Sequence, residues 1–555
     1  MNRLKRILSL RDLVAYGVGG TIGAGIFVSI GVGAMQSGPA LFISFLFAAL
    51  ACSISGLCFC EMASRIPASG SSYSYALFVL GDFPAFVVGS VLVLDSVISA
   101  AACARAWSSY VRIVLPFLPP SVFADLQVAG LEHMFSFSLL SGIICIALGI
   151  VLSTGIKETT WFNNLSTALN VLVLAVFVFA GLPLTDSANW TPFAPHGVDG
   201  IVRGAGRIFF AFLGFDVVNC LAEETGSDAK AMVPRAIVLT ILLTTFAYVL
   251  VSVAFVGLAP INKIDPSSPL SSAFDYRGYG MLGYLVGVGA VGNTLTSVLS
   301  NFLVQPRIVI RMAADGFLPS RLADIDDKGV PTVALWVTVG ASTLTALFVD
   351  FETLADMVSV ASLVSLSMVC VCSVLVRVQP QQASFQDNLG QHDRPTSTEL
   401  VDDPKMATEL NQFKIMISTY VGLASLTAIS LLHGFPRWLV LVLLAVLSVV
   451  MAAITSQFNL LPHHMDASTF AVPFSPILPL LGVGINMYLL FGLPTLALVR
   501  AAIVFVTCAV YYKVVVQRSA SSISRQTSLD NKSHVLRRLS VVGKPAAIYD
   551  TLVSE

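Results

Sequence analysis

The chemistry available to this chain lies in two apolar segments crowded with glycine. One reads Gly17-Val-Gly-Gly-Thr-Ile-Gly-Ala-Gly-Ile-Phe27, the other Gly204-Ala-Gly-Arg-Ile-Phe-Phe-Ala-Phe-Leu-Gly-Phe-Asp216. Glycine costs a helix interior about 1 kcal/mol relative to alanine, so each cluster predicts a helix that breaks in mid-segment. A break frees N–H and C=O groups, and where these face a cavity they can hold both ends of a small zwitterion. Asp95 adds a carboxylate in the middle of a further apolar stretch, where inserting one costs about 2.5–3.5 kcal/mol. It can attract a cationic group or exchange a proton. Arg105 lies roughly 15 Å further along the same helix, too far for a direct pair.

Other combinations carry no chemistry. Gly17-x-Gly19 has Ile22 where a dinucleotide fingerprint needs its third glycine, and it follows no strand. His463-His464 stands without partners at metal spacing, and the nine cysteines sit in or beside apolar stretches without zinc spacing. No Ser/His/Asp arrangement occurs. The expectation is a protein that is not an enzyme and needs neither metal nor cofactor.

The elements that must position these groups are membrane helices. Hydrophobic residues make up 56% of the 555 and charged residues 11%, against about 25% charged in soluble domains; the mean hydropathy is +0.83. The net charge of -1 says nothing about nucleic acid, since the basic residues are not gathered on a folded polar domain, and no nucleic acid is expected as a partner. The partners expected are a small-molecule amino acid and the lipid bilayer. About fourteen stretches are long and apolar enough to cross it. They run from 12–34 to 495–515, with the interrupted ones first (12–34) and sixth (206–222). An even count puts both termini on one side, and most of the Lys and Arg then fall in cytoplasmic segments, as the positive-inside bias requires. Two interrupted helices five apart predict an inverted repeat of five plus five. The division expected is a transport core over 1–376, a cytoplasmic loop over 377–413, four additional helices over 414–515 and a disordered tail over 516–555. The plasma membrane is the expected site, with an endosome or lysosome as the alternative.

Further motifs run in order along the chain. They include Gly20-Thr-Ile-Gly-Ala-Gly-Ile26, Gly56-Leu-Cys-Phe-Cys-Glu61, Arg65-Ile-Pro-Ala-Ser-Gly-Ser-Ser-Tyr73 and Ala104-Arg-Ala-Trp-Ser108. Later come Ala211-Phe-Leu-Gly-Phe-Asp216, Met312-Ala-Ala-Asp-Gly-Phe-Leu318, Leu375-Val-Arg-Val-Gln-Pro380 and Val472-Pro-Phe-Ser-Pro-Ile-Leu-Pro479. In this order and spacing the chain resembles the cationic amino acid transporter subfamily of the amino acid–polyamine–organocation superfamily. The last two motifs and the extra four helices favour that subfamily over shorter members.

The resemblance implies that Ile22, Gly23, Ala24 and Gly25 form the unwound centre of the first helix and hold a substrate carboxylate. It implies that Phe210, Ala211, Phe212 and Leu213 offer carbonyls to the ammonium group, with Phe209 or Phe210 as a gate. Asp95 departs from the small polar residue usual in the subfamily. Asn170 stands where proton-coupled relatives have lysine, which favours uniport. Asn301 is a candidate for the side-chain end of the pocket. Glu61 and Arg65, four apart, read as a structural pair. Asn189-Trp-Thr191 is a glycosylation sequon in an expected external loop, and Arg537-Arg-Leu-Ser540 places a kinase site at Ser540. Two alternatives to cationic amino acid transport stay open, neutral amino acid transport on the same scaffold and a membrane sensor or trafficking partner that transports nothing.

Overall fold

The computed structural model describes residues 9–23, 25–66, 71–115, 126–127, 136–154, 160–215, 218, 229–266, 268–324, 326, 330–379, 404–462 and 469–516. Within them the chain is a bundle of long apolar helices. Helix α1 (Leu10–Thr21) starts on a reciprocal cap, Ser9 with Asp12. A π-helical turn (Gly25–Ser29) and α2 (Ile30–Ser37) complete the first passage. The remainder of the first unit is α3 (Leu41–Arg65), the short α4 (Ser71–Leu80), α5 (Asp82–Val114), α6 (Leu139–Ser153) and α7 (Thr160–Gly181).

The second unit opens with α8 (Gly197–Ile208) and a 3-10 turn (Phe209–Phe212). It continues through α9 (Ala229–Leu258), the short α10 (Pro269–Tyr276), α11 (Gly280–Ala314), α12 (Thr332–Phe348) and α13 (Phe351–Leu375). Four more helices follow, α14 (Pro404–Leu432), α15 (Arg437–Leu460), α16 (Ile477–Phe491) and α17 (Thr495–Tyr511). A two-residue antiparallel pairing, Leu126–Gln127 with Ser136–Phe137, is the β-structure among the described residues. Among the described residues nine stretches are long and apolar enough to cross a membrane and three shorter apolar helices accompany them. With α1/α2 counted as the first passage and the α8 segment as the sixth, the helix order accommodates the fourteen expected from hydropathy.

The packing repeats with an offset of five passages. The first lies on the seventh as the sixth lies on the second, and the third lies on the tenth as the eighth lies on the fifth. The pairs third–eighth and second–seventh map onto themselves. An exchange of this kind is what a five-plus-five repeat requires, since the odd number of passages inverts the second copy.

Several helices outrun the apolar stretches that announced them. The sixth passage begins at Gly197 rather than 206, and α14 begins at Pro404 rather than 414. In the first case the added turns carry Asp199 and Arg203, paired at 2.8 Å. Hydropathy marks only the part of a helix that lipid must solvate, whereas polar ends continue the same backbone hydrogen bonding into the interface. Among the described residues, α5, α3 and α13 are the more enclosed passages, while α15 and α17 turn nearly all their apolar surface outward to lipid.

Candidate functional site

Both glycine clusters break their helices where the sequence places the break. The last turn of α1 closes with the Ile22 N–H on the Val18 carbonyl, 2.8 Å, and Ile22 itself leaves the helix (φ -75, ψ 49). In the sixth passage, Leu213 becomes extended after the 3-10 turn (φ -72, ψ 147) and Gly214 takes φ +118. The two breaks touch. A Cβ on Gly25 would lie 2.4 Å from the Ala211 Cα, and one on Gly214 would lie 2.4 Å from the Gly20 carbonyl carbon. No side chain fits between backbones that close, so these two glycines serve contact as well as conformation.

The freed carbonyls are largely spoken for. Asn293 of α11 donates from Nδ2 to the carbonyls of Ile22 (2.7 Å) and Gly23 (3.4 Å), and its Oδ1 accepts from the Asn170 amide of α7 at 2.5 Å. The Tyr248 hydroxyl of α9 reaches the Thr21 carbonyl at 2.7 Å and the Ala211 carbonyl at 2.8 Å. Tyr110 donates to the Phe27 carbonyl (2.6 Å), and the Phe210 carbonyl accepts the Leu213 N–H (3.3 Å). Each contact satisfies an oxygen that hydrocarbon would leave bare.

Beside the breaks lies a cavity whose wall includes Gly23, Gly25, Asp95, Asn170, Phe210, Leu213 and Asn301. Seven residues singled out from sequence thus meet in one place. Hydroxyls line much of the rest, among them Ser96, Ser99, Thr167, Ser297 and Ser300. Ile22, Ala211 and Phe212 stand behind the wall rather than on it. Ile22 is 2% exposed, Ala211 backs Gly25, and the Phe212 ring packs on Phe45 and Tyr248. Ala24 lies outside the described residues, as do Asp216 and Ser540. Of the two phenylalanines considered as gates, Phe209 is fully buried, while Phe210 lines the cavity with its ring edge-on to Phe351 at 6.4 Å and 70°.

Asp95 accepts from the Ser362 hydroxyl of α13 at 3.2 Å on each carboxylate oxygen. Arg105 points elsewhere, donating from Nε to the Ala346 carbonyl (2.6 Å) and from its terminal nitrogen to that of Leu347 (3.0 Å). It thereby caps the C-terminal end of α12, where the helix dipole favours a cation. Asn301 donates to the Ser297 carbonyl one turn back. At the sequon, Asn189 donates its Nδ2 to the Gly257 carbonyl at 2.8 Å.

Away from the cavity, Glu61 is completely buried and heavily satisfied. Arg377 meets it with two parallel bonds of 2.7 Å, Arg65 lies at 2.9 Å, and the Val472 N–H donates at 3.1 Å. Arg377 also donates to the Val472 carbonyl, so the segment leading into α16 is tied to the ends of α3 and α13. The i,i+4 pair expected from sequence is present, but Arg377 makes the stronger geometry. At the other end of α13, Arg207 of α8 lies 2.5 Å from Glu352 and 3.7 Å from Asp356.

Sequence reasoning missed Asn293, Tyr248 and Ser362. Asn293 offered a signal, an amide inside an apolar passage, of the same kind as Asn301 two turns further along the helix.

Comparison with known proteins extends over most of the chain. The family described as amino acid permease matches residues 8–460, and a family described as the C-terminus of that permease matches 470–520. The chain is 31% identical to cationic amino acid transporter 3, mitochondrial, of Arabidopsis thaliana, covering 94% of this chain and 92% of that one. It is 31% identical to cationic amino acid transporter 4 of Mus musculus over 90% of this chain and 85% of that one. A branched-chain amino acid permease of Bacillus subtilis is 34% identical over 67% of this chain and 81% of its own.

Proposed function

This chain belongs to the amino acid permease family, is a multi-pass integral membrane transporter, and, we propose, carries cationic L-amino acids (arginine, lysine and ornithine) by alternating access. The observation that carries the proposal is Asp95 on the cavity wall beside both helix breaks. In this reading the substrate carboxylate takes the N–H groups around Gly23 and Gly25, near the start of the π turn, where the dipole of the following helix is positive. The ammonium group meets the sixth-passage break at Phe210 and Leu213, the residues of the Phe210–Leu213 stretch that lie on the cavity wall. The cationic side chain extends toward Asp95 and the hydroxyl-lined wall, with Asn301 at its far end, and Phe210 closes over it. The relatives named as cationic amino acid transporters align along nearly the whole chain, which supports the same reading. Asn170 and Asn293 hold the unwound segment with amides where proton-coupled relatives have a lysine, which supports a uniporter or exchanger. The bias of Lys and Arg supports both termini lying in the cytoplasm, with the plasma membrane as the working site.

A second reading, transport of neutral amino acids, is favoured by the branched-chain permease. Uptake of labelled arginine, leucine and γ-aminobutyrate into proteoliposomes separates the two. Arginine and lysine should enter and compete with each other, and an imposed proton gradient at zero membrane potential should leave the initial rate unchanged. Leucine uptake that arginine does not inhibit would overturn the cationic reading, and uptake of none of the three would point to the sensor role.

A further inference from the structure

We propose that Tyr248 is a positioning residue that fixes the spacing between the two helix breaks and thereby sets which amino-acid backbone the carrier accepts. The inference rests on the reading that substrate bridges the breaks, carboxylate on the first and ammonium on the sixth passage.

The geometry is specific. Tyr248 stands on α9, which belongs to neither interrupted passage. Its hydroxyl lies between the Thr21 carbonyl, the last residue of α1, and the Ala211 carbonyl, inside the 3-10 turn. A phenol carries one proton, so the two oxygens share a single donor, and sharing works only while both remain within hydrogen-bond reach of it. The ring has little freedom to follow a change. It is fully buried, edge-on to Phe212 at 5.2 Å and 71°, and tilted on Phe45 at 5.6 Å. Gly25 against Ala211 and Gly214 against Gly20 set the minimum approach of the breaks. Tyr248 supplies the opposing limit. Steric contact on one side and a shared hydrogen bond on the other define one distance, and that distance must match the separation of carboxylate and ammonium in the substrate.

An α-amino acid has one carbon between those groups; its β-homologue has two. Tyr248→Phe deletes one oxygen and keeps the ring. In proteoliposomes the variant should raise KM for arginine about ten-fold, with the maximal rate per inserted molecule held within about two-fold. The preference for arginine over β-homoarginine should fall by a similar factor of about ten. A cross-link can replace the lost tie. The Gly33 and Ile208 Cβ positions of α2 and α8 are separated by 3.6 Å, within disulfide range, so Gly33→Cys with Ile208→Cys, oxidised in the Tyr248→Phe background, should restore the preference.

A loss of maximal rate with unchanged KM and unchanged α/β preference overturns the proposal. So does a Tyr248→Phe protein that does not fold and is not rescued by the cross-link, since Tyr248 would then serve folding alone. If the unmodified protein transports no α-amino acid, the parent reading fails first, and the wild-type uptake assay shows that separately.

Discussion

Asp95 keeps its carboxylate at the cavity wall with a neutral hydroxyl, Ser362, as one of its donors. At an effective dielectric of about 20, opposite charges roughly 4 Å apart attract by about 4 kcal/mol, and desolvation cancels much of this. A remainder of about 1–2 kcal/mol makes Asp95→Asn a selective lesion. We expect arginine and lysine uptake to weaken by ten-fold or more, while any neutral substrate changes by less than two-fold. Competition assays on matched amounts of inserted protein measure the ratio, and an equal loss for every substrate would show that Asp95 acts through folding. The glycines at positions 23 and 25 were legible in the sequence because their cost in a helix is local and known. Their second duty was not: Gly25 also lets Ala211 approach, a contact between segments nearly two hundred positions apart. Tyr248 was illegible for the same reason, and Asn293 showed its amide but not its partner. Each bonds to backbone more than two hundred residues away, and no spacing within a helix announces a long-range partner.

Helices were legible where lipid dictates composition, and less so where it does not. The first passage and the long α5 follow from apolar length, and the interruption of the first from its glycines, whereas the polar beginnings of α8 and α14 had no such signature. At this scale the Glu61 cluster joins the ends of α3 and α13 to the segment before α16. The local half of it, Arg65, was legible because four residues place both side chains on one helix face. The distant half, Arg377, became visible only in the fold. Removing one partner of a buried ion pair leaves the others uncompensated and costs about 3–5 kcal/mol. Glu61→Gln should therefore lower the midpoint of thermal unfolding in detergent by several degrees, with Arg377→Met close behind. An unchanged midpoint for both would mean that the cluster contributes nothing net to stability.

The proposed orientation gives the whole molecule one arrangement across the bilayer. Ser187 and Ser320 are exposed in short turns separated by an odd number of passages, so they belong to opposite faces. The native cysteines among the described residues are buried apart from half-buried Cys508, which gives a low background for labelling. In right-side-out vesicles an impermeant maleimide should modify Ser187→Cys at once and Ser320→Cys only after permeabilisation. Modification of both before permeabilisation would overturn the fourteen-passage arrangement. The same long chain imposes an order on its own making. Glu61 emerges from the ribosome with Arg65 at hand, but Arg377 follows 316 residues later and Val472 follows 411 later. At roughly 5–20 residues per second, the wait for Arg377 alone is on the order of 15 to 60 s. For that interval the second passage holds a carboxylate that has Arg65 but neither Arg377 nor Val472, and we expect an insertion chaperone or the translocon itself to shelter it. Nascent chains arrested before Arg377 should therefore remain in contact with that machinery through α3, and those extended past Val472 should let go.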